Sequence, residues 1–372
     1  MALLQVYNED PEDEPVYLLR IYDDEPPPSK YHYKPLSDPR NFRILCIEPG
    51  APGSRIRASL KESRPGNGVT YLALSYVWGS PRIVAYVMIE DRFALVTGNL
   101  YAALQHLRSE QEPLWVWTDQ ICINQQDQEE RSQQVMLMHE IFSKSEQVLI
   151  WLGKDTQSYE EGLLYILKLL AHTKYLNAQL DDDLVGRVVA FTNSQDVEKL
   201  LPSLSALYEN RWFSRSWTFQ EAVCNPDTAI IFSFEGIRIT NFVGITFEIL
   251  ISFTQLLMRN DTMKLLLPLS NESYRATRQR MVISQYRTSN PGQSLLQLAH
   301  STRDRSATDV RDRLYSLIPV AAGNGQQAFT PNYGHSTTRV YAKFASSVIF
   351  ESNRLHILEY NGSPVRAFYL LL

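Results

Sequence analysis

Short apolar runs closed by glycine, proline or aspartate alternate with apolar stripes at helical spacing through the middle of this chain. NFRILCIEPG reads as a strand of mixed aliphatic residues stopped by Pro49 and Gly50. YLALSY is a second strand, ending at Tyr76 before Trp78 and Gly79. LWVWT is a third, with Asp119 just beyond its carboxyl end. QVLIWLG and TAIIFSF follow as later strands. Between them, FALVTGN leads into LYAALQHLR, where Asn99 is the expected N-cap and Leu100, Leu104 and Leu107 form one stripe. Asp127 is the expected cap of a second helix, with Glu130 reaching back toward its first N–H groups as in a capping box. Val135, Met138 and Phe142 recur along that helix, and Arg131 sits near the same face one turn earlier. RWFSRSWTFQEAVC predicts a helix begun at Ser214 or Ser216. STRDRSATDVRDRLYSLIPVA predicts a cap at Asp309 and a stripe of Leu314, Tyr315 and Ile318.

Strand, helix, strand, helix, strand is the order that builds a mostly parallel sheet flanked by helices, and the site crevice of such a sheet lies at the carboxyl ends of its strands. The expected fold class is α/β with a largely helical C-terminal extension. Residues 1–32, acidic and carrying Pro26 to Pro28, read as an extended or mobile lead-in; 33–235 read as the α/β core and 236–372 as a mainly helical extension packed against it. A helix around Leu163 to Leu170 and a polar linker with Asp181 to Asp183 are expected inside the core segment. The chain ends on AFYLLL, an apolar run without a polar stop, as a truncated longer parent would.

A net charge of -5 argues against nucleic acid as the default partner, because phosphate binding needs concentrated basic surface. Cys46, Cys122 and Cys224 are odd in number and far apart, which fits a reducing compartment and neither a disulfide framework nor a zinc motif. The start turns acidic too soon for a signal peptide. NFVGITFEILISFTQLLMR, interrupted by Asn241, Glu248 and Gln255, reads as a buried or amphipathic helix rather than a membrane span of about 20 apolar residues. A cytoplasmic protein without an integral membrane segment is expected. GKDTQS lacks the glycine-rich approach of a phosphate loop, and the seven histidines have no metal-ligand spacing, so no cofactor or metal is assigned.

Candidate chemistry gathers near strand ends. Asp119 suits binding of hydroxyls or a cation in the crevice, or equally capping of the turn formed by QICIN. Asn124 and Gln125 are expected to satisfy irregular backbone after the strand. Ser75, Tyr76, Trp78 and Gly79 form a second rim: a hydroxyl donor, aromatics able to flank a planar base, and a glycine that lets backbone come close. Arg131 has three candidate partners, Asp127, Glu221 or a phosphate. Trp217, Glu221 and Cys224 share a helix face, with the acid between two groups that commonly pack inward. Such a carboxylate suits orienting a ribose or stabilising positive charge at a breaking glycosidic bond, or it forms an ion pair with Arg211 or Arg215 or a hydrogen-bonded helix anchor. Most of the six tryptophans, with Cys122 and Cys224, are expected in the core.

YLALSYVWG, the long block from LWVWTDQICINQQDQEER to QVLIWLG, and RWFSRSWTFQEAV together resemble the fungal heterokaryon-incompatibility domain. YKPLSDPRNFRILCIEPG and ATDVRDRLYSLIPVA extend that resemblance from about Tyr33 through Pro319. It implies a cytoplasmic fungal protein of non-self recognition and programmed cell death, working through protein partners or self-association. A more distant resemblance, to the Toll-type receptor (TIR) domain, rests on SRSWTFQE, which is similar to the segment carrying the catalytic acid of TIR NAD hydrolases. It implies a TIR-like core and an alternative activity, an NAD glycohydrolase with Glu221 as catalytic carboxylate and NAD as possible substrate. The ligand-binding candidates, from their own chemistry and placement, are Ser75, Tyr76, Trp78, Gly79, Asp119, Arg131 and Trp217.

Overall fold

Short runs rich in Val, Ile, Leu and aromatics become strands here because a sheet covered on both faces accepts continuous apolar side chains. The computed structural model describes residues 2–6, 16–20, 29–153, 202–203, 206–207, 209–231, 245–246, 283, 286, 292–322 and 330–352. The helix expected around Leu163 to Leu170, the Asp181 to Asp183 run and nearly all of the apolar stretch 241–259 lie outside them. The chain divides into two compact units, Met1–Thr156 with Asp227–Gly244, and Gln157–Pro226 with Ile245–Leu372.

The first unit is α/β. Its strands are β1 (Ala2–Val6), β2 (Val16–Arg20), β3 (Phe42–Ile47), β4 (Arg57–Ser63), β5 (Leu72–Tyr76), β6 (Ile83–Ile89), β7 (Arg92–Thr97), β8 (Leu114–Trp117), β9 (Gln147–Trp151) and β10 (Thr228–Ile231). Its helices are α1 (Gly98–Leu107), α2 (Asp119–Cys122) and α3 (Gln128–Lys144). The sheet runs β1-β2-β6-β4-β3-β8-β5-β9-β10, with β7 on β6. β8, β5, β9 and β10 are all parallel neighbours. Taken in chain order, this run is second, first, third, fourth, the order of a flavodoxin-like doubly wound sheet. The order reverses between β5 and β9, where Tyr76 pairs with Trp151 at the carboxyl ends.

β3 is antiparallel to both β4 and β8, so the sheet is mixed. Five of its strands, β1, β2, β4, β6 and β7, had no counterpart in the sequence reading. β4 buries only Ala58 fully; beside the half-buried Leu60 it carries Arg, Lys, Glu and Ser, a pattern with little apolar signal. β6 and β7 form a hairpin whose two turn residues, Glu90 and Asp91, stand at φ of 50° and 62°, the requirement of a tight turn usually met by Asn-Gly. Without glycine or asparagine the turn was invisible, and FALVT read only as the approach to a helix. The acidic lead-in also contains structure, since β1 and β2 pair antiparallel from Ala2↔Arg20 to Val6↔Val16.

A buried charge pair ties this unit together. Arg43, on β3, meets Glu130, on α3, through two parallel bonds, Nη1 to Oε1 at 2.6 Å and Nη2 to Oε2 at 2.9 Å. The side chains are 6% and 8% exposed. Nη1 and Nη2 also donate to the carbonyls of Cys122 (3.2 Å) and Lys34 (2.7 Å) respectively, and the cation lies 5.1 Å from the Tyr33 ring centre. Glu130 Oε1 also accepts from Asn124 N at 2.7 Å. This corrects the capping-box expectation: Asp127 does cap α3, accepting from Glu129 and Glu130 N, but Glu130 turns inward because a buried guanidinium offers a stronger, bidentate partner than the cap's N–H. The α1 cap is also displaced. Thr97 Oγ1 accepts from Leu100 N, while the Asn99 side chain is committed elsewhere.

The expected stripes are buried: Leu100, Leu104 and Leu107 on α1, and Val135, Met138 and Phe142 on α3. Phe142 meets the buried Trp117 edge-on.

The second unit is described through a 3-10 turn at Arg211–Ser214 and helices α4 (Trp217–Val223), α5 (Leu295–Ser301), α6 (Asp312–Tyr315) and α7 (Thr337–Ser352). Ser216 holds the N-cap position of α4 without capping it; its hydroxyl donates to Ser306 O at 3.1 Å. Ser294 and Gln297 form a complete capping box on α5. Asp309 accepts from Arg311 N and grips the Arg311 guanidinium, which reaches the carbonyls of Tyr333 and His335. Leu314, Tyr315 and Ile318 are buried, as their spacing predicted.

The Arg43–Glu130 pair generates a direct prediction. Glu130→Gln leaves a buried guanidinium without its counter-charge and is expected to lower unfolding free energy by roughly 3 to 5 kcal/mol. Replacing both partners, Arg43→Met with Glu130→Met, is expected to lose less than Glu130→Gln alone. Urea unfolding of the three proteins measures both differences.

Candidate functional site

The carboxyl ends of β5, β8 and β9 carry the side chains from which a site is built. Trp78 follows β5 by two residues, and Asp119 opens α2 after β8. The Asp119 carboxylate accepts from Tyr76 OH at 2.9 Å on Oδ1 and from Trp78 Nε1 at 2.8 Å on Oδ2. Thr118 Oγ1 donates to Tyr76 OH at 3.2 Å, which aims the phenol proton at the carboxylate. Gln125 Nε2 holds the Asp119 carbonyl at 2.7 Å. Asp119 is thus oriented by two ring donors, and its side chain takes none of the turn's N–H groups. A carboxylate has about four lone-pair directions, so the half-buried group keeps acceptor capacity for hydroxyl or ammonium donors.

Asn99 fastens the switch point beside it. Its Nδ2 donates to Val77 O at 2.6 Å, and its Oδ1 accepts from Trp151 Nε1 at 2.9 Å, so one amide bridges the ends of β5 and β9. Gly79 stands at φ 81°, and a Cβ there would come within 3.3 Å of the Asn99 Cβ. Gly153, after β9, stands at φ 112°. Gln120 Oε1 accepts from Thr97 N at 3.0 Å and joins α2 to the start of α1. Asn99 and Gln120 were not among the candidate residues. Two amides at the ends of predicted strands are a faint signal, because amides serve loops everywhere.

The structure brings together Tyr76, Trp78 and Asp119, with Gly79 beside them through Asn99. Ser75 is buried at 1% exposure within β5, a strand covered along its whole length, and it does not stand on an open rim. Arg131 lies half-buried on α3. Asn124 and Gln125 do satisfy local backbone: Asn124 Oδ1 accepts from Gln126 N, and Gln125 takes the Asp119 carbonyl. Trp117, Trp151 and Trp212 are buried, whereas Trp78, Trp115 and Trp217 are half-exposed.

Trp217 and Glu221 belong to the second unit, on α4. Glu221 is 6% exposed. Arg305, from the segment after α5, is electrostatically coupled to it. Arg305 is 1% exposed; its Nη1 donates to Arg215 O at 2.7 Å and Thr218 Oγ1 at 3.0 Å, and the guanidinium lies 5.5 Å from the Phe219 ring centre. Burial pulls Arg305 down to about 9, an effect that Glu221 opposes.

Cys122 is fully buried on α2, and burial pushes its thiol up to about 12. Such a thiol is not a nucleophile near neutral pH. Among the described residues no group of His, Cys, Asp and Glu side chains could hold a metal ion.

The first unit is therefore an α/β unit with a flavodoxin-like strand order and an oriented carboxylate at its strand ends. Residues 71–221 match the family Heterokaryon incompatibility protein (HET), a span that takes in Tyr76, Trp78, Asp119 and Glu221. The chain is 27% identical over 326 residues to heterokaryon incompatibility protein 6, OR allele, of Neurospora crassa, an alignment covering 75% of this chain and 47% of that protein. The matched segment is thus similar to the heterokaryon-incompatibility domain, and the chain spans about half the length of this curated relative. No solved structure matches it. The likeness to TIR domains is carried by none of these comparisons.

Two predictions follow from the site's geometry. Asp119→Ala strips Trp78 Nε1 and Tyr76 OH of their charged acceptor and is expected to lower stability by roughly 2 to 3 kcal/mol, with Asp119→Asn losing less. Chemical denaturation followed by tryptophan emission reads both. In native protein at pH 8, iodoacetamide is expected to leave Cys122 unmodified while labelling the half-exposed Cys224, with peptide mass mapping as the check; early Cys122 labelling would contradict its burial.

Proposed function

We propose that this chain is a fungal non-self recognition and programmed cell-death signalling module of the heterokaryon-incompatibility type. The observation that carries this reading is the family match over 71–221, which includes the strand-end carboxylate cluster and Glu221. The similarity to the Neurospora crassa protein supports it over a wider part of the chain. In this reading the module acts in the cytoplasm of a fungal cell, and its output comes through protein partners or self-association. Among the described residues no helix is long and apolar enough to cross a membrane. Residues 33–235 serve as the core of the module and 236–372 as an extension that works with it.

A second reading makes the module an NAD glycohydrolase. It draws on one feature, a buried carboxylate, Glu221, electrostatically coupled to a buried arginine, since buried charged groups with specific charge partners concentrate at reactive sites. In that reading Glu221 stabilises the positive charge that develops on ribose as nicotinamide departs, and water attacks the sugar carbon.

Graded inducible expression in a filamentous fungus tests the first reading and separates it from the second. Expression of the wild-type chain is expected to reduce viability in step with its assembly state, followed by light scattering of the purified protein. Full viability at high expression of folded protein would overturn the proposal. In the same strains, nicotinamide and ADP-ribose are quantified with wild type and Glu221→Gln. Death without NAD loss selects association. If turnover and death both disappear in folded Glu221→Gln, with the rate down about 10² to 10³-fold, hydrolysis is the mechanism.

A further inference from the structure

A second buried guanidinium in the first unit, far in sequence from Arg43, has a different kind of partner. Arg108 is 7% exposed and stands at the C-cap of α1, where its backbone N–H donates to Leu104 O. From there the side chain enters the loop 48–56 between β3 and β4, and the loop turns its oxygens inward around it. Nε donates to Glu48 O at 3.0 Å and Nη2 to Pro49 O at 3.2 Å. Nη1 donates to Ser54 O and Ser54 Oγ, both at 3.0 Å, and to Arg55 O at 3.1 Å. All three nitrogens are thus spent on both ends of a single loop. Gln105 Nε2 adds a bond to Ser54 O at 2.7 Å, and Gly50 N donates to Ser109 O at 3.0 Å, so the same stretch of chain around the end of α1 holds the loop throughout.

The loop has little with which to fix its own shape. Its sequence, EPGAPGSRI, offers one large aliphatic side chain, the buried Ile56, and its internal bonds run from Ser54 N and Oγ to Ala51 O. Carbonyl dipoles turned toward one point repel one another, and a buried guanidinium without acceptors is equally unfavourable, so each arrangement is stable only with the other. Gly50 records how closely the two fit. A Cβ there would stand 1.6 Å from Arg108 Nη2, 2.3 Å from Cζ and 2.9 Å from Nε. The Gly50 φ lies outside the left-handed region, so its backbone would accept alanine; the obstacle is the arginine.

We infer that Arg108 is an internal template for the β3–β4 loop: its guanidinium does for this loop what a bound cation does for a metal-binding loop, and the loop is ordered only while the end of α1 holds the arginine inside it. Loop and helix end form one conformational unit that opens and closes together, and its closed state presents Ala51, Pro52 and Gly53 as a fixed, exposed tip. The role needs the shape of the group rather than its charge. A guanidinium offers five N–H donors in a rigid plane, whereas an ammonium offers three from one point and cannot span both ends of the loop.

Amide hydrogen exchange of the full chain, read by mass spectrometry on peptides covering 48–56, tests this, with α3 as the internal measure of global folding. Arg108→Ala is expected to speed exchange of the loop at least about tenfold while α3 exchanges as in wild type. Arg108→Lys is expected to behave as Arg108→Ala, since it keeps the charge and loses the fork. Gly50→Ala leaves every donor and acceptor in the chain and is expected to reproduce the loss by pushing the guanidinium out. In the double variant, Gly50→Ala with Arg108→Ala, the added methyl group meets no guanidinium and is expected to change nothing beyond Arg108→Ala. Loop exchange within about twofold of wild type in Arg108→Ala or in Gly50→Ala would overturn the proposal. So would wild-type exchange in Arg108→Lys, which would make the charge alone sufficient, or a full Gly50→Ala effect in the absence of the arginine. If Arg108→Ala does not fold, loop exchange in Gly50→Ala decides by the same limits.

Discussion

The bidentate contact between Arg43 and Glu130 is the constraint on which the first unit depends. It joins the middle of the sheet to the first turn of α3, and through the Cys122 and Lys34 carbonyls and Asn124 N it also fixes the loop that carries Asp119 toward the strand ends. A buried guanidinium tolerates little displacement: each donor that loses its acceptor leaves an unsatisfied charge in a medium that cannot hydrate it. The polar run after LWVWT, improbable at first sight beside an apolar strand, is the set of partners this cation and the irregular backbone require.

Above that base, amides and ring donors set the carboxyl edge of the sheet. Asn99 holds the ends of β5 and β9 together at the point where strand order reverses, and Tyr76 and Trp78 hold Asp119 next to it. The left-handed backbone at Gly79 and Gly153 lets the chain leave both strands close to Asn99. An orientated carboxylate at these strand ends is chemically prepared for donors, while the nearby thiol of Cys122, sealed in the core, is not prepared for nucleophilic attack. The second unit solves a different problem with similar means. A buried arginine, Arg305, is brought onto α4 from a distant segment through a backbone clamp, where its Nη1 bonds Arg215 O and Thr218 Oγ1.

Much of this was readable in the chain. The α/β class, the five strands at β3, β5, β8, β9 and β10, the stripes of α1 and α3, the cap at Asp127 and the position of Asp119 beyond a strand end all followed from local pattern, because apolar period and capping chemistry act over a few residues and leave their mark in sequence. β4 and the β6–β7 hairpin escaped, one because its strand buries a single position fully, the other because Glu90 and Asp91 occupy a turn that glycine or asparagine ordinarily announces.

What only the tertiary structure decided was the choice among partners. Sequence proximity offered Glu130 a cap, Asn99 a cap and Asp119 a turn. The fold gave them Arg43, the strand ends at Val77 and Trp151, and two aromatic donors. Local hydrogen bonds compete with water at nearly even terms, whereas a partner met in the interior has no water to compete with. Long-range burial therefore settles which polar groups pair, and that information is carried by no single stretch of the chain.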